Sequence, residues 1–398
     1  MWCGVLSHAK CGVESIVTNS YINTKVEMKN LKFGINNKNK KASKCHHMHI
    51  GKQNNNCPTL KAHETDIEKV ESDTYVGDEI SSDGKFTKTV SVRYSKATGI
   101  TSQIMNMLRE ISVGCYFFEI AMIYRNLKFI NSVLANAEVW HPIKESHLED
   151  LEKADKILLR KVLETPSTTS IELLFLETGA IPILDILKCR RINYLQYILK
   201  RDPNEMLPKV FRAQLRNPSK GDWPEIVQKD LNDLKINLSF EEIKNMKQDP
   251  FKKIVKNAGQ KYSLNKLLHE KNKHSKGDKL NYTKLEIQNY LVSDKLTTKE
   301  AKLLFKIRTG MLDVRENFKN KYTNKNESDE FNKEALLCQL CKNHVDNSEN
   351  ILKCSALETN VNMKFDNLFS KDIDITASAI KVFAKLWKIR QEKLSLIT

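Results

Sequence analysis

The sequence predicts a mainly α-helical protein with a small α+β segment at its amino terminus, on three observations. From Thr87 onward apolar residues recur at spacings of three and four, the repeat of one helix face. Thr297 and Glu300 form the T-x-x-E pattern in which hydroxyl and carboxylate reciprocally cap a helix start. Before residue 90, short β-like runs alternate instead with Lys- and Asn-rich stretches.

In that first segment "CHHMHI" from Cys45 has partial strand alternation, between the polar turns "NNKNKKASK" from Asn36 and "GKQNNNCP" from Gly51. "TYVGDEISSDGK" from Thr74 reads as two short strands around a turn, punctuated by Gly77 and Gly84. Val92, Ile100, Ile104 and Leu108 then mark a first helix. In "HLEDLEKADKILLRKVLE" Leu148, Leu151, Ala154, Leu158 and Val162 fall on one helix face, while Lys153, Lys156 and Arg160 form a separate stripe. The stripe fits either a solvated bundle face or contact with phosphates. "ILKCRRINYLQYILKR" from Ile186 carries Lys188, Arg190, Arg191, Lys200 and Arg201 beside Tyr194 and Tyr197. Basic residues among aromatics suit backbone contact with base stacking. The neighbours Ile192, Leu195 and Ile198 suit tyrosines packed in a core.

Four of the nine prolines fall in "RDPNEMLP" and "NPSKGDWP", which predicts a boundary near Asp202. A Lys/Asn-rich helical region follows, then a cysteine segment, and "ITASAIKVFAKLWKIRQEKL" closes the chain as an amphipathic helix. The expected divisions are residues 1–90, 91–202, 203–335, 336–356 and 357–398.

Lys and Arg number 65 against 49 Asp and Glu, a net charge of +16 that favours a polyanionic partner, nucleic acid first and an anionic membrane surface second. The opening residues show no basic region followed by an apolar run, and "VGCYFFEIAMIY" from Val113 is broken by Glu119 and too short to span a bilayer. The expectation is an intracellular protein, nuclear or cytoplasmic, with no membrane partner. Nine scattered cysteines then read as reduced thiols with a candidate metal cluster. In "LCQLCKNHVDNSENILKC", Cys338 and Cys341 have the Cys-x-x-Cys spacing of half a zinc site, and Cys354 offers a third thiolate. Cys45, His46, His47, His49, Cys57 and His63 are residue types that suit zinc, but no standard ligand spacing fits them.

Several strings occur together in an order that resembles the reverse transcriptases of non-LTR (LINE-like) retrotransposons. They are "KCHHMHIGK" from Lys44, "CPTL" from Cys57, "YVGDEISSDGK" from Tyr75, "AEVW" from Ala137, "LEKADKILLRKVLE" from Leu151 and "ELLFLETGAIPI" from Glu172. The resemblance covers roughly residues 15 to 200 and again the cysteine segment. It implies an end-of-palm segment at 1–90, a helical thumb at 91–202 and a zinc-knuckle-like segment at 336–356. Lys44 matches the palm lysine near the incoming nucleotide, and Tyr75, Val76 and Gly77 match the hairpin that grips the primer, with Val76 in place of the usual leucine. The thumb would hold an RNA and DNA template-primer duplex through Lys153, Lys156, Arg160, Lys188, Arg190 and Arg191 without reading sequence.

Polymerases hold two magnesium ions on paired palm carboxylates. This chain has no adjacent Asp-Asp pair, so magnesium belongs only to a full-length polymerase. The expectation is the carboxy-terminal portion of such an enzyme, read from an internal methionine or left by truncation, binding nucleic acid without catalysis. The alternatives are part of an active RNA-directed DNA polymerase and a host-adopted helical scaffold that binds proteins through its carboxy-terminal helix. Family members commonly carry Cys-x2-Cys-x8-His-x3-Cys; here Asn350 occupies the histidine place, which leaves His344 as candidate fourth ligand and the zinc site weak or lost.

Overall fold

In the computed structural model of the protein the described residues are 2–4, 17–19, 46–50, 61–62, 65–66, 68–75, 77–110, 116–141, 145–273, 278–324, 326–357 and 361–397. Lys44 and Val76 lie outside them, as do Cys45, Cys57 and His63 of the amino-terminal histidine-rich stretch. Among the described residues the fold is mainly α, with the strands confined to the first 81 positions.

Strand β1 (Trp2–Gly4) lies between β2 (Val17–Asn19) and β3 (His46–Ile50), antiparallel to both, with Cys3 opposite His49. Two short strands, β4 (Lys61–Ala62) and β5 (Thr65–Asp66), pair with each other, and β6 (Glu68–Lys69) runs parallel to β3. The expected hairpin is β7 (Ser72–Tyr75) with β8 (Asp78–Ser81), Tyr75 facing Asp78 across the turn. Gly77 there has φ of +86°, a left-handed conformation in which a residue lacking Cβ meets no clash.

The hairpin is anchored to α1 (Thr87–Glu110) through a buried polar cluster. Asp78 accepts a hydrogen bond from Arg93 Nη2 at 2.7 Å and faces Trp140 Nε1 at 3.4 Å, and Thr89 Oγ1 donates to the Glu79 carbonyl at 2.6 Å. The buried face of α1 therefore runs through Val90, Arg93, Ala97, Thr101, Ile104 and Leu108, while Val92 and Ile100 of the predicted face are only half-buried. An arginine sits on that face because Asp78 neutralises it.

After α2 (Phe117–Tyr124) one π-helical turn, Arg125–Phe129, leads into α3 (Ile130–Val133). It carries Arg125, 1% exposed, onto Asp155 of α4 (Glu145–Leu163) in a two-bond pair at 2.7 and 2.5 Å. Helix α4 buries Leu151, Ala154, Leu158 and Val162 as the periodicity predicts. The apolar α5 (Ile171–Thr178), capped by the Ser170 hydroxyl, precedes α6 (Ile183–Lys200).

In the proline-rich stretch the chain turns between α7 (Met206–Arg216) and α8 (Trp223–Asp233), with Pro224 in the first turn of α8, where its missing N–H leaves no bond unmade. A short α9 (Phe240–Asn245), closed by the Ser239–Glu242 capping box, feeds α10 (Gln248–Lys271). Next come α11 (Asn289–Val292) and α12 (Thr298–Arg308), the latter starting at the predicted Thr297–Glu300 capping box. Then follow α13 (Lys319–Tyr322), α14 (Asp329–Ala335), the cysteine segment and α15 (Ile373–Ser395).

One hydrophobic cluster runs from Val90 through Leu158 and Phe305 to Phe383 and Leu386, so the cysteine segment and α15 share a core with α1 and α4. A second cluster joins α6 to α7, α8 and α10, with Phe211 of α7 and Trp223 of α8 in it.

Candidate metal centre and basic helices

The cysteine segment folds as a knuckle. Leu337 and Val345 form an antiparallel bridge, Cys338 N–H donates to the His344 carbonyl at 2.8 Å, and Lys342 N–H donates to the Cys338 carbonyl at 2.9 Å. Lys342 takes φ of +54°, which lets the chain reverse between the two strands of the turn. Cys354 follows a 3-10 turn, Asn350–Lys353, that swings it back over the knuckle.

As a result the sulfurs of Cys338, Cys341 and Cys354 lie within 4.8 Å of one another, with Cys338 Sγ and Cys354 Sγ 3.9 Å apart. Burial pushes the Cys341 thiol up, but backbone N–H groups of Asn343 and His344, with the neighbouring thiols, outweigh it and bring it below its ordinary value. Backbone N–H groups aimed at a sulfur stabilise a thiolate and orient it for a metal. The Cys354 thiol is pushed up to about 12, chiefly by burial. Three convergent sulfurs fit a thiophilic metal and supply three of the four positions of a tetrahedral site.

The structure does not bring His344 into this cluster. Asn350 lines the same small cavity of about 10 Å³ as Cys338 and Cys354, yet its Nδ2 donates to the Val345 carbonyl at 3.0 Å and its backbone N–H to Asn347 Oδ1 at 2.8 Å. The amide thus pins the loop. Beneath it Asp346, 3% exposed, accepts two bonds from Arg390 Nη2 at 2.8 Å and one from the Arg315 backbone N–H at 3.1 Å. Sequence reasoning missed this pair, which fastens the knuckle to α15, because its members stand 44 positions apart.

The six basic residues predicted to touch phosphate have internal partners. Lys153 is 59% exposed and pairs with Asp150 at 2.9 Å; Lys156 pairs with Glu152 at 2.8 Å and is 15% exposed. Arg160 donates to the Thr169 carbonyl at 3.3 Å. Lys188 is gripped by Asp233, and Arg191 forms a two-bond pair with Asp230 at 2.6 and 3.1 Å, joining α6 to α8. Burial works against the Lys188 charge, but Asp233, Tyr262 and Asp230 outweigh it and raise its pKa. Arg190 donates to the Leu134 carbonyl at 2.9 Å and to Asn131 Oδ1 at 2.6 Å. Tyr194 packs half-buried against Trp223, while Tyr197, stacked on it at 5.6 Å, is 49% exposed. Of the hairpin residues, Tyr75 and Gly77 take their places at the β7–β8 turn.

Among the described residues no helix is long and apolar enough to cross a membrane. Comparisons of the chain with protein-family models, with curated proteins and with solved structures found no match.

Proposed function

We propose that this protein binds nucleic acid without reading its sequence, as a non-catalytic thumb-like body of the non-LTR reverse transcriptase kind, and holds zinc on Cys338, Cys341 and Cys354. The observation that carries the reading is the order of segments. A tight hairpin stands where the resemblance puts a primer grip, a helical bundle is locked onto it through Asp78, Arg93 and Trp140, and a three-cysteine knuckle follows in a chain of net charge +16. Zinc bound there would crosslink the knuckle. The chain's own Asp346 and Arg390 then transmit that crosslink to α15.

The test is binding of purified protein to a labelled RNA–DNA primer-template across a series of salt concentrations, followed by primer extension with magnesium or manganese. Binding should be equal for unrelated sequences and weaken steeply with salt, because neutralised phosphates release counterions. No nucleotide should be added, since no adjacent Asp-Asp pair is present to hold two metal ions. Absence of binding at low salt would sink the reading, and extension would replace it with the polymerase reading.

The scaffold reading keeps one supporting observation. Tyr116, Ile123 and Leu127 on and beside α2 are exposed by 59%, 46% and 67%. Helix α15, the element first assigned to protein docking, buries its apolar face on Ile380, Phe383 and Leu386. A scaffold would retain protein partners in a pulldown after nuclease treatment.

A further inference from the structure

With the six predicted phosphate contacts engaged internally, the question is which charges remain for a polyanion. Between residues 244 and 261 stand six lysines, Lys244, Lys247, Lys252, Lys253, Lys256 and Lys261, against one acid, Asp249. All six are exposed, and among the described residues none of their ammonium groups is held by a carboxylate or a carbonyl. The nearest acids in sequence are committed elsewhere. Glu242 closes the capping box with Ser239, and Glu241 accepts from Asn245 Nδ2 at 3.0 Å.

We propose that this lysine face of α9 and α10 is the surface along which the protein tracks a nucleic-acid phosphate backbone. It rests on the nucleic-acid reading and moves the contact from α4 and α6 to α9 and α10.

The opposite face of α10 is fixed in the core. Phe251, Val255 and Leu267 are buried, and Gly259 lies so close to α6 that a Cβ there would stand 2.4 Å from Cys189 Sγ. The helix therefore presents its lysines from a rigid support. At ~100° of turn per residue Lys252, Lys253 and Lys256 fall within an arc of about 100°, roughly one helical turn long at ~1.5 Å per residue, and Lys261 continues the charge further along and around the helix. Lys252 repels Lys256 at spacing i,i+4, and Lys253 repels Lys256 at i,i+3, a strain that a line of phosphates relieves.

The chemistry favours nucleic acid over a bilayer. A helix lying in a membrane interface needs an exposed apolar face, and here the one large apolar side chain exposed on α10 is Ile254. Lysines act as point charges without the forked geometry that reads base edges, so the contact is indifferent to sequence.

The test uses the full chain, a labelled 20-base-pair DNA duplex of arbitrary sequence, and anisotropy over a range of KCl concentrations. One variant replaces Lys252, Lys253, Lys256 and Lys261 by Gln, a second replaces the same four by Arg, and a control replaces the exposed Lys381, Lys385 and Lys388 of α15 by Gln. Each phosphate contact contributes ~0.9 to the slope of log affinity against log salt on B-form DNA, so the Gln variant should lose about two to three units of slope. The Arg variant should keep the wild-type slope, which separates lost charge from lost fold, and the α15 control should stay close to wild type. A wild-type slope in a folded Gln variant overturns the proposal while leaving the nucleic-acid reading in place. Equal losses in the α15 control also overturn it, because charge would then act without location. No binding by the wild type overturns both. Loss of binding to anionic phospholipid vesicles, with duplex binding intact, would reassign the face to a membrane surface.

Discussion

Asp185 is completely buried, with Ser263 Oγ donating to its Oδ2 at 2.8 Å and Lys266 Nζ 3.5 Å from its Oδ1. Burial raises its pKa, since these partners do not replace the hydration it loses. The folded state therefore holds the proton more tightly than the unfolded chain. Below the unfolded pKa of about 4 both states are protonated, and stability falls as pH rises from there through the folded pKa. Asp185→Asn replaces the titrating carboxyl by an amide that stays neutral, so its stability relative to wild type should improve as pH rises above about 4. Urea midpoints of the two proteins across that range check it, and a pH-independent difference would refute it. Asn350→His replaces an amide that braces the loop by an imidazole next to Cys338 and Cys354. Zinc affinity should rise by about tenfold or more, ~1.4 kcal/mol, on completing a Cys3His set, and competition with a chromophoric chelator measures it. Unchanged affinity would mean that position 350 does not reach the metal.

At the scale of elements, the connection that closes α5 shows how tightly the bundle is laced. Gly179 ends the helix at φ of +64°, and a Cβ there would stand 2.3 Å from the backbone of Glu286 and Ile287. That strap bridges Thr178 to Ile287, and inside it Glu177 accepts from Arg308 Nη2 at 3.1 Å and from the Tyr282 hydroxyl. Gly179→Ala combines left-handed backbone strain with a backbone collision, and should destabilise the fold by about 2–5 kcal/mol. Chemical denaturation reads it, and a change under ~0.5 kcal/mol would show that the strap simply moves aside. The same scale explains what sequence could reveal. The hairpin turn, the apolar face of α4 and the capping box before α12 were legible because each is set by residues within a few positions of one another. The sulfur cluster was legible by its spacing. The partners of the basic stripes were not legible, because periodicity identifies a shared face without revealing what lies across from it. Asp230, which engages Arg191, stands 39 residues away, and Asp155, which engages Arg125, stands 30 away.

For the molecule as a whole, the question is whether the segments suggested by composition unfold separately. The principal cluster joins Val90 and Ile104 near the hairpin to Phe305, Leu357 and Phe383, so residues 357–398 complete a core begun more than 250 positions earlier. Ile380 and Phe383 are fully buried, and Leu386 is 2% exposed. Burying a side chain of this size contributes about 1.5–3 kcal/mol, so these three together supply about 5–9 kcal/mol. A typical domain has a net stability of about 5–15 kcal/mol, which places that loss near the whole margin. Arg390 adds a second tie, because its removal leaves Asp346 as a buried unpaired carboxylate. A chain ending at residue 371 should therefore lose cooperative thermal unfolding and near-ultraviolet circular dichroism while keeping most far-ultraviolet helical signal, the signature of a core without fixed packing. A truncated chain with a sharp transition at the wild-type midpoint would show instead that α15 is an appendage, and that the chain up to residue 371 folds without it.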